Sequence, residues 1–366
     1  MSTKKNVNNP NNSEFRIQNS ELRTELRVLH APSNIAGIAG LLARAQRDLG
    51  YRATSVEYIS RRLAFETDAS LHLEARRGPL AKGAAVGGYA LGALRAYDVF
   101  HFYFGNTLFP WPWPDLPVLR ALGKRVIFHF CGCEVRSRAG NLAKYAISGC
   151  HECVSQVCRG KRRPPLHWAD AVFVSTPDLL EDVPGATLLP GPIDLHRWPA
   201  RPPRSTPPTP ADPLRILHAP TDREIKGTAY VLGAVEQLKA AGYPVALQVL
   251  EGIPAAEVPA FVATADIVVD QVLIGAYGTF SVEAMAVGRP VVCRIREDLR
   301  PHYAPDLPMV SADPATIYPV LERLVRDTQE RERLGAAGPG YVARVHEMHR
   351  VAAAVLPYYS KRQQAA

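Results

Sequence analysis

GAYGTFSVEAMAVGRPVVC, Gly275 to Cys293, reads as a glycine-containing loop, a short helix and a buried strand, with one carboxylate a turn into the helix. Gly275 and Gly278 permit close backbone approach, and Thr279 or Ser281 is placed to cap the helix. The amides of Gly278, Thr279, Phe280 and Ser281 then point outward at the positive end of the helix dipole, which is an arrangement for holding an anion. Gly288 ends the helix and Pro290 leads into the strand Val291 to Cys293. A carboxylate next to a phosphate repels it, so Glu283 is better suited to a pair of sugar hydroxyls. A nucleotide offers both groups.

Working outward, the loop HAPTDREIKGT (His218 to Thr228) follows another strand, RILHA (Arg215 to Ala219), and precedes a helix with Val231, Leu232, Val235 and Leu238 on one face. VALQVL (Val245 to Leu250) and ADIVVDQV (Ala265 to Val272) are further buried strands. If these strands are parallel, both loops leave the same sheet edge, and Arg223 and Lys226 join the helix amides around a diphosphate. A lone lysine at a helix start is usually a solvated charge, but two such loops on one edge reverse that preference.

Pro199 to Pro213, PARPPRSTPPTPADP, admits neither helix nor central strand and reads as a linker. Before it the strand and helix alternation is already present: RVLHA from Arg27, a helix after SNIAGIAG that stops near Gly50, then Asp98 to Phe104, Lys124 to Phe130 and Asp170 to Thr176. Alternation of this kind gives parallel sheets covered by helices. The expected organisation is α/β: a disordered tail over 1–25, a Rossmann-like domain over 26–198, the linker 199–213, a second Rossmann-like domain over 214–340, and a helix in 341–366 crossing back to the first. A cleft lies between facing strand ends.

The length of 366 residues suits two domains, and 47% hydrophobic with 21% charged residues is ordinary for a globular protein. A net charge of +8 favours anionic partners without selecting one. There is no run of 18 apolar residues, and the Asn-rich amino terminus lacks the apolar core of a signal peptide, so a cytoplasmic location is expected, with at most peripheral contact at the inner membrane face.

HAPTDREIKGT followed by GAYGTFSVEAMAVGRPVV resembles the retaining glycosyltransferases of the GT-B fold, specifically the large family four. DLG at Asp48 to Gly50, STPDLL from Ser175 and LPGPIDLHRW from Leu189 extend the resemblance over the chain beyond its tail. The resemblance implies two Rossmann-like domains, a nucleoside-diphosphate sugar as donor, diphosphate binding by Arg223 and Lys226, and ribose binding by Glu283, the second carboxylate of an E-x7-E motif. One departure stands out. The first glutamate of that motif is replaced by Gly275, which leaves open a different sugar, a sugar held by the amides of Gly278 to Phe280, or loss of turnover.

Breaking the anomeric bond of such a donor puts negative charge on the departing diphosphate, which Arg223, Lys226 and helix amides can stabilise without a metal. No Asp-x-Asp pair is present to hold a catalytic cation. In the first half, Gly37 and Gly40 face the expected cleft, where they serve either ligand approach or helix packing. His129 and the segment HFCGCEVR resemble the H-G-x-D-x-R segment of relatives, with Cys131 where a histidine is expected; His129 is a candidate catalytic base or a locally bonded histidine.

Five of six cysteines fall between Cys131 and Cys158, inside a Cys-rich insertion near 131–165. Cys133, Cys150, Cys153 and Cys158 approach the spacing of a structural zinc site, with unligated thiols as the other reading and an iron–sulfur cluster a remote third. RGKRRPP, Arg159 to Pro165, is a basic run that suits anionic lipid head groups or a phosphorylated acceptor, or is simply solvated. The sequence is therefore read as a glycosyltransferase moving a sugar from a nucleotide sugar to a carbohydrate, lipid-linked or small-molecule acceptor, with no nucleic-acid partner. The alternative is a catalytically silent nucleotide- or glycan-binding protein of the same fold.

Overall fold

The computed structural model describes the chain except residues 1–25, 61–62, 111, 155–157, 159–162, 203 and 361–366. The basic run from Arg159 therefore lies largely outside the described residues, as does the tail.

Two fully parallel sheets form. The first contains β1 (Arg27–Ala31), β2 (Arg52–Glu57), β3 (Ala69–Ser70), β4 (Val99–Tyr103), β5 (Arg125–Phe130), β6 (Ala171–Val174) and β7 (Thr187–Leu188), in the order β3-β2-β1-β4-β5-β6-β7. Its helices are α1 (Ile38–Asp48), α2 (Pro79–Ala96), α3 (Asp115–Ala121), α4 (Arg138–Lys144) and α5 (Gly149–Glu152). The second contains β8 (Leu214–His218), β9 (Val245–Val249), β10 (Ile267–Val269), β11 (Val291–Val292) and β12 (Met309–Val310), in the order β12-β11-β10-β8-β9. With it run α6 (Arg223–Lys226), α7 (Thr228–Ala240), α8 (Val258–Thr264), α9 (Thr279–Val287), α10 (Ile317–Arg326), α11 (Thr328–Val345) and α12 (Met348–Val355). The first order matches the dinucleotide-binding arrangement and the second the flavodoxin-like one, and both bind ligands where strand order reverses, outside the carboxyl ends of the strands. In the second sheet that point lies between β8 and β10.

The strands are nearly continuous runs of buried apolar residues because each sheet is covered on both faces. Leu29, Phe100, Phe102, Val126 and Phe128 fill one face of the first sheet; Val28, Val99, Ile127 and Phe173 fill the other, against Leu42 of α1 and Val351 and Val355 of α12. The chain thus returns to the first sheet, but in two pieces rather than one helix. α11 ends at Val345, His346 gives Nδ1 to the Gly191 carbonyl at 2.9 Å, and α12 restarts under a cap by the Glu347 side chain. Burying Met348, Val351 and Val355 contributes roughly 1.5–3 kcal/mol each to this docking.

At the end of the crossing, Tyr359 enters a buried polar network. Its hydroxyl meets Gln46 Nε2 at 3.0 Å and His101 Nδ1 at 2.8 Å, and Gln46 also meets His30 at 2.9 Å. Burial pushes His30 down to about 4, so these imidazoles are neutral. Tyr359→Phe strands both partners of the hydroxyl in an apolar layer. It is expected to cost about 1–3 kcal/mol of unfolding free energy in urea titration, with an unchanged far-ultraviolet spectrum.

Candidate functional site

The loops after β8 and β10 meet at the switch point, and a buried carboxylate joins them. Asp270, at the end of β10, accepts from Lys226 Nζ at 2.7 Å through one oxygen, and from Ser281 Oγ at 2.7 Å and the Gly278 amide at 3.2 Å through the other. Burial pushes the Asp270 carboxyl up, but Lys226, Ser281 and Gly278 outweigh it and hold it below the usual range. A strand-end Asp before a glycine loop is visible in the sequence, yet the sequence reading passed over it.

This geometry changes the expected capping. Gly278 is the cap residue of α9 and no side chain caps the helix; Ser281 gives its hydroxyl to Asp270 instead. The Gly278 amide is likewise taken by Asp270, and the Ser281 amide by the Gly278 carbonyl at 3.1 Å. Gly288 closes the helix in the left-handed conformation, φ 84°, as the sequence predicts.

Lys226 reaches the site because α6 is a single turn capped by Asp222, whose side chain accepts the Ile225 amide at 3.0 Å. Gly227 then turns at φ +78°, where an added Cβ would lie 2.5 Å from Val272. Lys226 Nζ ends 3.8 Å from where a Cβ on Gly278 would stand, so the two loops converge. Arg223, on the solvent side of that turn, forms a two-pronged pair with Glu251 at 2.8 and 2.6 Å, and is half-exposed.

Two cavities flank the start of α9, and Thr279 lines both. One, of about 310 Å³, lies between Gly37, Arg44 and Phe65 on the first-sheet side and Ala255 and Glu283 on the other. The second, of about 190 Å³, lies between Ala36 and Ser175 on one side and Gly278, Tyr303 and His346 on the other. Together they fall in the size range of small-ligand sites. Glu283 is half-buried in the first cavity. Burial pushes its carboxyl up to about 8, with Arg197 opposing and Asp270 adding to the rise.

The other sequence candidates are placed as follows. Gly37 and Gly40 line the first cavity, but a Cβ on Gly40 would stand 2.1 Å from the Glu66 carbonyl oxygen, so packing of the chain's own loop requires that glycine. His129 is wholly buried beneath the cleft. Its Nε2 meets Ser175 Oγ at 3.0 Å, and burial pushes the imidazole down to about 3, so Ser175 and not His129 lines the cavity. Cys133, Cys150, Cys153 and Cys158 do line one pocket with Arg136 and Arg294. Among the described residues, however, no three His, Cys, Asp or Glu groups are placed to hold a metal ion, and the zinc tetrahedron does not assemble. Cys133 Sγ instead accepts from Arg136 at 3.4 Å, and burial pushes the Cys133 and Cys150 thiols up, toward the neutral form.

Gly275 has a steric cause. A Cβ there would meet Arg296 Cγ at 2.2 Å and Cδ at 2.4 Å, because the Arg296 side chain crosses this residue. Beyond it the guanidinium lies 3.9 Å from the Tyr145 ring centre and pairs with Glu181 and Asp298. A glutamate at 275 and this arginine cannot share the space.

No protein-family profile and no curated protein sequence matches the chain. Solved structures do. Sucrose-phosphate synthase from Thermosynechococcus elongatus superposes with a TM-score of 0.61 at 14% identity, over 91% of this chain and 98% of that one. HepE of Anabaena, solved with UDP and glucose, gives 0.59 at 12% identity, over 91% and 99%. A protein described as a UDP-N-acetylglucosamine 2-epimerase from Listeria monocytogenes gives 0.52 at 13% identity, over 91% and 95%. The fold is therefore GT-B: two Rossmann-like domains facing a central cleft.

Gly275→Ala is expected to lower stability by about 1–3 kcal/mol in denaturant titration, since the methyl group must displace a clamped arginine. Glu283 gives a pH effect of known sign. Its folded value of about 8 exceeds the ordinary 4.5, so between these the folded state binds more protons and stability falls as pH rises. Glu283→Gln should flatten that fall, giving a higher melting temperature than wild type at pH 9 and a smaller difference at pH 5.

Proposed function

We propose that the chain is a glycosyltransferase that binds a nucleoside-diphosphate sugar at the start of α9 and transfers its sugar to an acceptor in the cleft. The observation that carries this reading is the convergence of Lys226, the first-turn amides of α9 and Glu283 beside two cavities at the strand-order reversal. The first amides of any helix lack partners within it. With the Gly278 and Ser281 amides engaged, the anion subsite narrows to the amides of Thr279 and Phe280, beside the Lys226 ammonium that Asp270 holds next to Gly278.

In the transfer step the bond between the anomeric carbon and the diphosphate oxygen breaks, and charge grows on that oxygen. A fixed ammonium and two fixed amides stabilise the growing charge without reorganising, and one such donor is worth about 3 kcal/mol of barrier. Asp270 acts on Lys226 rather than on the donor: it fixes the ammonium position. Arg223 contributes at the rim once released from Glu251. Glu283 is suited to the ribose hydroxyls: ionised, its carboxylate accepts from both, and protonated, it accepts from one and donates to the other. The neighbours' UDP and glucose are in keeping with a nucleotide-sugar donor. Retention at the anomeric carbon and independence from a metal are expectations from the family resemblance.

The epimerase neighbour favours a second reading, a nucleotide-sugar epimerase with the same donor pocket. Incubation with UDP-glucose and UDP-N-acetylglucosamine, followed by product chromatography, separates the readings: free sugar or glycosylated acceptor supports transfer, whereas an epimeric nucleotide sugar supports the second. In a thermal-shift panel of UDP, GDP and ADP sugars, one donor is expected to raise the melting temperature of wild type. Lys226→Ala should reduce that shift and lower turnover by about a hundredfold. A silent binder would give the shift with no turnover in either protein.

A further inference from the structure

The site proposed above leaves α2 unexplained. Its sequence, PLAKGAAVGGYALGALRA, is apolar on both sides, yet only Val86, Ala90 and Ala93 are buried. Leu80 is 88% exposed and Leu91 60%. Eleven residues separate them, close to three full turns, so both leucines project from one outward stripe, together with exposed Ala84. Water has no favourable contact to offer such a stripe, and an exposed apolar patch of this kind marks an interaction surface.

Charge selects the occupant. From 75 to 97 the chain carries Arg76, Arg77, Lys82 and Arg95 and no Asp or Glu. All four are exposed, and among the described residues none is paired with a carboxylate. A second copy docked through the same face would bring its own four cations against these, so self-association is disfavoured. An anionic lipid surface satisfies leucines and cations together. No helix among the described residues is long and apolar enough to cross a membrane, so α2 would lie on the surface rather than span it.

A cavity of about 670 Å³ opens beside this helix, walled by Pro32, Tyr58, Val86, Leu108 and Phe109 with Ile59 as an exposed apolar wall residue. Among the described residues that line it, Lys82 is the one that carries a charge. Its far wall, Pro32 to Asn34, continues directly into Ile35 and Ala36, which line the cavity at the start of α9. An apolar chain lodged there leaves a polar head at the cleft.

We propose that α2 docks the protein on an anionic lipid surface and that the adjoining cavity takes the hydrocarbon chain of a lipid. With the donor site as read above, the acceptor is then a lipid-borne one; the docking itself does not depend on that reading. The test is co-sedimentation of the full chain with vesicles of phosphatidylcholine alone and with added phosphatidylglycerol. Binding is expected only with phosphatidylglycerol, weakening with salt, and falling at least about tenfold in Leu80→Glu/Leu91→Glu while the melting temperature and its shift by nucleotide stay as in wild type. An Ile59→Trp variant should show fluorescence quenching by brominated acyl chains beyond that of wild type. Absence of binding to anionic vesicles, equal binding by the double variant, or a wild-type dimer that the double variant breaks would overturn the docking surface; no added quenching would overturn the chain cavity. Loss of the nucleotide shift in wild type would instead sink the donor reading alone.

Discussion

One buried carboxylate organises the second half of this protein. Asp270 has no exposed side-chain surface and receives an ammonium, a hydroxyl and a backbone amide. Removing any one partner would leave a charge poorly solvated in the interior, which is why the loop carrying Lys226 and the start of α9 are held together. The same constraint shapes chemistry. A lysine tethered to a buried carboxylate is held in place, so on the proposed reading its charge is already positioned for a diphosphate, and the cost of arranging it falls on folding rather than on binding.

The two domains are tied along the same edge. Arg296 crosses Gly275, stacks on Tyr145 and pairs with Glu181, while Arg294 gives one nitrogen to the Ile147 and Leu273 carbonyls at 2.9 and 2.8 Å. Gly149, at the start of α5, packs 3.1 Å from Ile225 of α6, measured from its absent Cβ. The Cys-rich insertion is therefore a bracket between the first domain and the turn that presents Lys226. Where the resemblance to family four would place a glutamate, Gly275 makes room for this arginine-centred clamp, which also docks the insertion.

Much of this was legible in the sequence because strands buried on both faces have an unmistakable composition: the runs at Val99–Tyr103, Arg125–Phe130 and Leu214–His218 appear where expected. Gly288 and the glycine loop at 275–278 were likewise legible, since only a few backbone conformations fit a tight strand-to-helix passage. What could not be read was pairing at a distance. Asp270 and Lys226 lie 44 positions apart, and Arg223 finds Glu251 across 28. Cysteine spacing reports chain separation and not the direction of each thiol, and among the described residues Cys133 takes a hydrogen bond from Arg136. For His129 the sequence left two readings open, since a strand end can face either the cleft or the layer beneath it; the structure gives the locally bonded one, to Ser175.

The central claim is that the diphosphate of a nucleotide is gripped between Lys226 and the first turn of α9. A crystal of the protein soaked with UDP tests it most directly. The account predicts phosphate oxygens about 3 Å from Lys226 Nζ and from the Thr279 and Phe280 amides, with the ribose toward Glu283. Ordered UDP bound elsewhere, with the Lys226–Asp270 pair facing empty solvent, would contradict it.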